Sequence, residues 1–332
     1  MIKNSELRQD LVSGDWIVIA PGRVKRPRDF IRRDAPREKA PIKNCPFENS
    51  PENNDTEPYL VYPNKHTWAI QIVENKYPAV RHLGEKCSVV SRRGPYAIQP
   101  GFGHHDIIIT RDHNKNFPKL TKSEANLVFQ AMRDRYLALF NDKCLEYISI
   151  FHNWGPTAGA SIYHPHYQLI AIPVVPPDVT HSLNGSRKYF DKHKKCVHCL
   201  MIEWERKEKK RIIYENDGAI AIAPYVSRSP FEARVFPKKH LPFFENTYDH
   251  DVAAVVDALQ NTLKLIYKNL KDPDYNFFIH TAPLKNKEDY KHYHWHIEIL
   301  PKVAIYAGFE LGTGVEINSI DPDTAAKLLV KK

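Results

Sequence analysis

The chain has 332 residues, 42% of them hydrophobic, and carries a formal net charge of +9. That length allows one large domain or two ordinary ones, and no apolar run approaches the roughly 20 residues a membrane-spanning helix needs. The 48 basic residues are interleaved with 39 acidic ones, so the excess suits a small anionic substrate and leaves no isolated basic tract for nucleic acid.

The opening residues are polar, Met1-Ile2-Lys3-Asn4-Ser5-Glu6, and the five cysteines are an odd number. A disulfide scaffold is not expected, and a reducing cytoplasm is. An apolar alternation predicts a strand over 106–113, ending at His113. A helix over 122–140 follows, with Thr121 and Glu124 spaced as a capping box and Leu127, Val128, Ala131, Leu137 and Phe140 as its apolar positions. A strand over 147–152 leads into the loop 153–161, and a strand over 164–173 begins with His164-Pro165-His166-Tyr167-Gln168. Pro, Gly, Ser and charge over 176–195 mark a boundary between domains 1–176 and 177–332.

Beyond that boundary the plan repeats. A strand over 233–240 ends at His240, a helix over 249–270 carries Val252, Val255, Val256, Leu259, Leu263 and Ile266, and strands follow over 276–280 and 292–301. Laid without gaps, His164 falls on His292; 51 residues separate His113 from His164 and 52 separate His240 from His292. The fold expected is α+β: two tandem modules of mainly antiparallel sheet, joined as a half-barrel with long helices packed on it.

Two metal sites follow from the repeat. Cys196, Cys199, His240 and His292 offer the soft and borderline ligands of structural zinc. The matching positions of the first half are Cys45, Glu48, His113 and His164, with a carboxylate replacing one thiolate. His166 is then free for chemistry. An imidazole near neutral pH is largely free base and can attack phosphorus, and Gln168, two residues on and on the same strand face, can hold a phosphoryl oxygen.

These residues, with Arg23-Val24-Lys25-Arg26-Pro27, Cys45-Pro46-Phe47, Asn75-Lys76-Tyr77-Pro78-Ala79 and Ala158-Gly159-Ala160-Ser161, resemble the galactose-1-phosphate uridylyltransferase family of the histidine-triad superfamily over nearly the whole chain. The resemblance implies His166 as nucleophile, Gln168 and Ser161 on the phosphates, and Asn153 beside them. It implies Asn75, Tyr77 and Phe151 at the nucleoside, and Arg23, Arg26, Phe309 and Glu310 at the sugar phosphate. It also implies a homodimer, zinc, and a place in galactose metabolism. Gln168 stands where histidine-triad hydrolases carry a third histidine; it cannot donate a proton but suits a covalent nucleotidyl-imidazole awaiting a phosphate acceptor. The reaction expected is ping-pong exchange of UMP between UDP-hexose and hexose-1-phosphate, with a nucleotide sugar and a sugar phosphate as partners. Gly312-Thr313-Gly314 looks more like the adenylyl-transferring branch, so an ADP-sugar phosphorylase with phosphate as acceptor is the alternative. A non-catalytic nucleotide- or nucleic-acid-binding protein is a third reading; it leaves His166, Gln168 and Ser161 without a purpose.

Overall fold

The computed structural model describes residues 4–23, 30, 37–48, 57–82, 84 and 87–331. Strands β1 (Glu6–Gln9) and β2 (Trp16–Ile19) open the chain, followed by β3 (Leu60–Tyr62), β4 (Ile70–Glu74), β5 (Ser91–Arg93), β6 (Tyr96–Ile98) and β7 (His104–Thr110). Helix α1 (Lys122–Leu139), β8 (Tyr147–Trp154) and β9 (His166–Ile172) complete the first half. The second half runs through α2 (Pro177–His193), α3 (Val197–Glu208), β10 (Ile212–Glu215), β11 (Ala219–Ile222), β12 (Ala233–Pro237) and α4 (Asp249–Leu270). It ends with β13 (Tyr275–His280), β14 (His296–Pro301), α5 (Gly308–Thr313), β15 (Ile317–Asn318) and α6 (Pro322–Val330).

The architecture is α+β. One ten-stranded sheet runs β10-β11-β12-β14-β13-β8-β9-β7-β4-β3, antiparallel at every pairing. Each half supplies five strands, and the order of one half mirrors that of the other about the β8–β13 seam. There Asn153 pairs with Asn276 and Phe151 with Phe278. The sheet is open rather than closed, ending at β3 and β10. A smaller sheet joins β1 and β2 to β15, whose pairing with β2 is parallel.

Thr121 caps α1 as a full capping box, satisfying backbone donors that the first helical turn leaves open. The buried stripe is Ala125, Val128, Phe129, Met132, Tyr136 and Leu139. Leu137 sits one position off that stripe, about 100° around the helix, and is exposed. In α4 the expected positions Val252, Val255, Val256, Leu259, Leu263 and Ile266 are all buried. Both helices pack on one face of the sheet, against Ile148, Ile150, Tyr167, Leu169, Phe277 and Ile297. Truncating a side chain such as Leu259 to alanine there costs about 2–5 kcal/mol.

The join between the halves has its own structure, and one expectation changes. The segment expected as a boundary is mostly helix α2, with Gly185 packed so closely on residue 12 that a Cβ would meet Val12 O at 1.6 Å. Cys87 and Cys144, expected to be unpaired, form a disulfide. Among the described residues, no helix is long and apolar enough to cross a membrane.

Candidate active site

Ladder pairing on β9 begins at His166 rather than His164, because Pro165 has no N–H to give. Alternation then turns Tyr167, Leu169 and Ala171 into the core under the helices, and His166 and Gln168 to the opposite face. His166 is 6% exposed. Its Nδ1 lies 2.9 Å from the His164 carbonyl oxygen, which only accepts, so Nδ1 carries the proton and Nε2 keeps its lone pair. Burial lowers the pKa of this imidazole, against the carbonyl bond that raises it. The Phe47 ring packs on it at a steep angle, with ring centroids 5.3 Å apart. The result is an imidazole held by its Nδ1, with no hydrogen bond to its Nε2 among the described residues.

Gln168 is oriented by a residue that sequence reasoning missed. The Ala79 N–H donates to His105 Nδ1 at 3.0 Å, which places the His105 proton on Nε2. That N–H donates to Gln168 Oε1 at 2.9 Å; the Asn75 Nδ2, itself a donor, lies 3.0 Å from the same nitrogen and makes no hydrogen bond to this tautomer. Gln168 is therefore held by its oxygen, with its NH2 left to donate. His105 shares strand parity with Ile107, which pairs with Gln168, but that signal has meaning only once β7 is known to lie beside β9.

The loop before β9 is built by the other half of the chain. Asp274 accepts from Thr157 N–H (2.8 Å) and Thr157 Oγ1 (2.6 Å), and pairs with Arg37 at 2.7 Å. Asn276 Nδ2 donates to Asn153 Oδ1 (2.7 Å) and to Ala158 O (2.8 Å), leaving the Asn153 NH2 unencumbered by that bond. Gly155 adopts φ +84° and ψ 160°, and a Cβ there would lie 2.1 Å from Asp274 Oδ1. Gly159 is left-handed at φ +86°. Phe151 is half-buried and pairs with Gln168; Ser161 is exposed on the loop, without a hydrogen bond among the described residues.

Of the other expected substrate residues, Asn75 borders the His105–Gln168 pair. Asn75 is tied to β7 through its N–H to His105 O (2.8 Å), whereas Tyr77 is 83% exposed. Arg23 ends the 3-10 turn after β2, and Phe309 and Glu310 lie on α5. Glu310 is held below its ordinary pKa by backbone N–H groups, its own first and then that of Ala307, and by the charge of Arg23. Among the described residues, no hydrogen bond, ion pair or ring contact joins Arg23, Phe309 or Glu310 to His166, Gln168 or Asn153. Arg26 lies outside the described residues.

Beside His166, Cys45, His113 and His164 bring ligand atoms within 4.8 Å of one another. His164 donates from Nε2 to Thr110 O (2.6 Å) and turns Nδ1 to Cys45 Sγ at 3.4 Å. His113 donates to Ala40 O (2.9 Å), and its buried Nδ1 has no hydrogen-bond partner. Glu48 Oε1 stands 3.5 Å from His164 Nδ1 and 3.7 Å from His113 Nδ1. Three converging donors, one with a buried unused lone pair, and a carboxylate beside the two histidines fit a tetrahedral divalent ion.

The second cluster is Cys196, Cys199, His240 and His294, not His292. His240 Nδ1 and His294 Nδ1 lie 3.4 and 3.5 Å from Cys199 Sγ, and each ring donates its Nε2–H to a carbonyl, Lys291 O and Pro237 O. His292 turns away, its Nε2 3.3 Å from Leu183 O. The gap-free alignment was wrong by two residues. A two-residue slip keeps every side chain on its strand face, so alternation could not expose it.

A family model described as a domain of unknown function, DUF4921, matches residues 41–332. An ADP-glucose phosphorylase of Arabidopsis thaliana is 33% identical over 331 residues, covering 98% of this chain and 93% of that protein. A galactose-1-phosphate uridylyltransferase of Thermotoga maritima is 27% identical, covering 98% and 97%. The crystal structure of an Arabidopsis thaliana ADP-glucose phosphorylase with bound ADP-glucose superposes with a TM-score of 0.84 at 30% identity over 99% of both chains. The chain belongs to the DUF4921 family, a uridylyltransferase-like group of nucleotidyltransferases.

In this DUF4921 chain the corrected register sets His296 opposite His166 in the repeat, Glu298 opposite Gln168 and, through the His280–His296 pairing, His280 opposite Asn153. The second set is not a copy of the first. Arg234 reaches Glu298 (3.4 Å) and Glu232 (2.9 Å). Burial raises the Glu298 carboxyl, while Arg234 first and then His280 lower it. A carboxyl group held by Arg234 stands where the first half has the Gln168 amide.

Proposed function

We propose that this protein moves a nucleotidyl group from a nucleotide sugar to a phosphate-bearing acceptor through a covalent adduct on His166. The lone pair of His166 Nε2 attacks the α-phosphorus and forms a P–N bond. The bond to the bridging oxygen breaks, and hexose-1-phosphate leaves with that electron pair. An oxygen of the acceptor phosphate then attacks phosphorus in line, the P–N bond breaks, and Nε2 recovers its lone pair. The observation that carries this reading is the pinned tautomer of His166, with free Nε2 on the same face as the Gln168 amide. Gln168 NH2 and the Asn153 amide would donate to oxygens gaining charge in the transition state. Ser161 would bind phosphate, and Phe151, Asn75 and Tyr77 the nucleoside.

The preferred donor is ADP-hexose with phosphate as acceptor. Identity to the ADP-glucose phosphorylase is 33% against 27% to the uridylyltransferase at similar coverage, and Gly312-Thr313-Gly314 supports the same branch. This reverses the order expected from sequence; UMP exchange between UDP-hexose and hexose-1-phosphate is the second reading, supported by the uridylyltransferase similarity.

Residues 1–176 would carry the chemistry and 177–332 the supporting half. Zinc would be held by Cys45, Glu48, His113 and His164, and by Cys196, Cys199, His240 and His294, ordering the segments on which His166 and its neighbours sit. Arg23, Arg26, Phe309 and Glu310 would serve the site of a second copy in a homodimer. A cytoplasmic location is supported by clusters that need reduced thiols, while the Cys87–Cys144 bridge weighs against it.

The test is intact mass of wild type and His166→Ala after mixing with ADP-glucose or UDP-glucose under non-acidic conditions. An adenylyl adduct on wild type alone supports the first reading and a uridylyl adduct the second. No adduct with either donor refutes both.

A further inference from the structure

A third cluster of metal-type ligands lies away from both sites above. His82, His104 and Asp142 bring ligand atoms within 4.8 Å of one another, with His104 Nε2 3.8 Å from Asp142 Oδ2. They come from three segments: the strap after β4, the start of β7, and the turn after α1. His104 sits beside His105 on β7, so its ring points to the opposite face of the sheet from Gln168.

Each ligand is already positioned. Asp142 Oδ1 accepts the Cys144 N–H at 2.8 Å, which turns Oδ2 toward His104. His82 follows Arg81, whose backbone exchanges bonds with Gly101 O and Gly103 N–H at 3.0 Å each, and its ring stands 5.5 Å from Phe102 and 5.0 Å from His104. The Cys87–Cys144 disulfide joins the same two outer segments. The nearby Arg135 guanidinium is occupied by Asp106 at 2.7 Å, so its charge is compensated.

We propose that His82, His104 and Asp142 form a surface site for a divalent transition ion of the Zn2+ class. Two imidazoles and one carboxylate favour such an ion over Mg2+ or Ca2+, which take oxygen ligands. Bonds of about 2.0–2.2 Å in tetrahedral geometry set ligand atoms roughly 3.4 Å apart. The donors would therefore close inward by about 1 Å, a shift open to the exposed His82 ring, and water would complete the coordination. The ion would clamp the outer end of the strap whose inner end carries Asn75 and the Ala79 N–H bonded to His105.

The test is Zn2+ titration of the full-length protein against a competing chelator, comparing wild type with His82→Ala and Asp142→Asn. His82 is exposed, and asparagine keeps the Oδ1 that accepts the Cys144 N–H, so both variants should fold. Wild type is expected to bind one more equivalent than His82→Ala, and Asp142→Asn to bind that equivalent at least tenfold more weakly. Co2+ at this site should show d–d absorption without the thiolate charge-transfer band of a cysteine site. Equal stoichiometry and affinity in all three proteins would overturn the proposal, as would thiolate charge transfer from the extra equivalent.

Discussion

His105→Phe tests whether the orientation of Gln168, and not only its presence, matters for transfer. The substitution fills the ring volume but removes the Nε2–H donated to Gln168 Oε1 at 2.9 Å and the Nδ1 that accepts Ala79 N–H at 3.0 Å. Losing a donor aimed at the developing phosphoryl charge costs about 2.7–4 kcal/mol, so Gln168→Ala should slow adduct formation roughly 100- to 1,000-fold. A neutral hydrogen bond contributes about 0.5–1.5 kcal/mol net. His105→Phe leaves Gln168 in place but free to turn, and the expected loss is about 3- to 10-fold in the rate constant. The assay is single-turnover formation of nucleotidyl-enzyme with the productive donor. In a Gln168→Ala background His105→Phe should change the rate by less than twofold, because the group it orients is gone. If the two losses multiply, His105 acts by another route and the reasoning fails.

The acid limb of adduct formation should lie below pH 6.5. The reacting form of His166 is neutral, and burial lowers its folded pKa, so acidification through 6.5 should leave the nucleophile free. A midpoint at or above 6.5 in the pH–rate profile would contradict this. His294→Ala should release metal from the Cys196 cluster and lower the urea midpoint, whereas His292→Ala should retain the metal; equal loss from both would restore the uncorrected register. Gly155→Ala should destabilise the protein by about 3 kcal/mol, since φ +84° with ψ 160° is almost confined to glycine and the new Cβ meets Asp274. Denaturant unfolding with a loss under about 1 kcal/mol would mean the loop relaxes freely.

Short-range features of the fold were legible in the residues. The Thr121 capping box, the period of α4 and the alternation of His166 and Gln168 on β9 each depend on neighbours within a few positions. So did the duplication, because two long helices between similar strands leave the same spacing twice. Of the first-half ligand candidates, Cys45, His113 and His164 bring their ligand atoms together, with Glu48 beside the two histidines. What failed was register: a slip of two residues in the second half preserved alternation and put His292 where His294 belongs.

The sequence by itself determined which side chains face together within each strand, His166 with Gln168 among them, because that follows from local geometry and from the kinds of residue present. Tertiary structure alone decided what holds them. His105 meets Gln168 only because β7 lies beside β9, and Asp274 and Asn276 shape the Gly155–Gly159 turn only because β13 pairs with β8. Cys87 meets Cys144 across 57 residues. Those contacts depend on which strands become neighbours, and the pattern within any one strand carries no record of its partner.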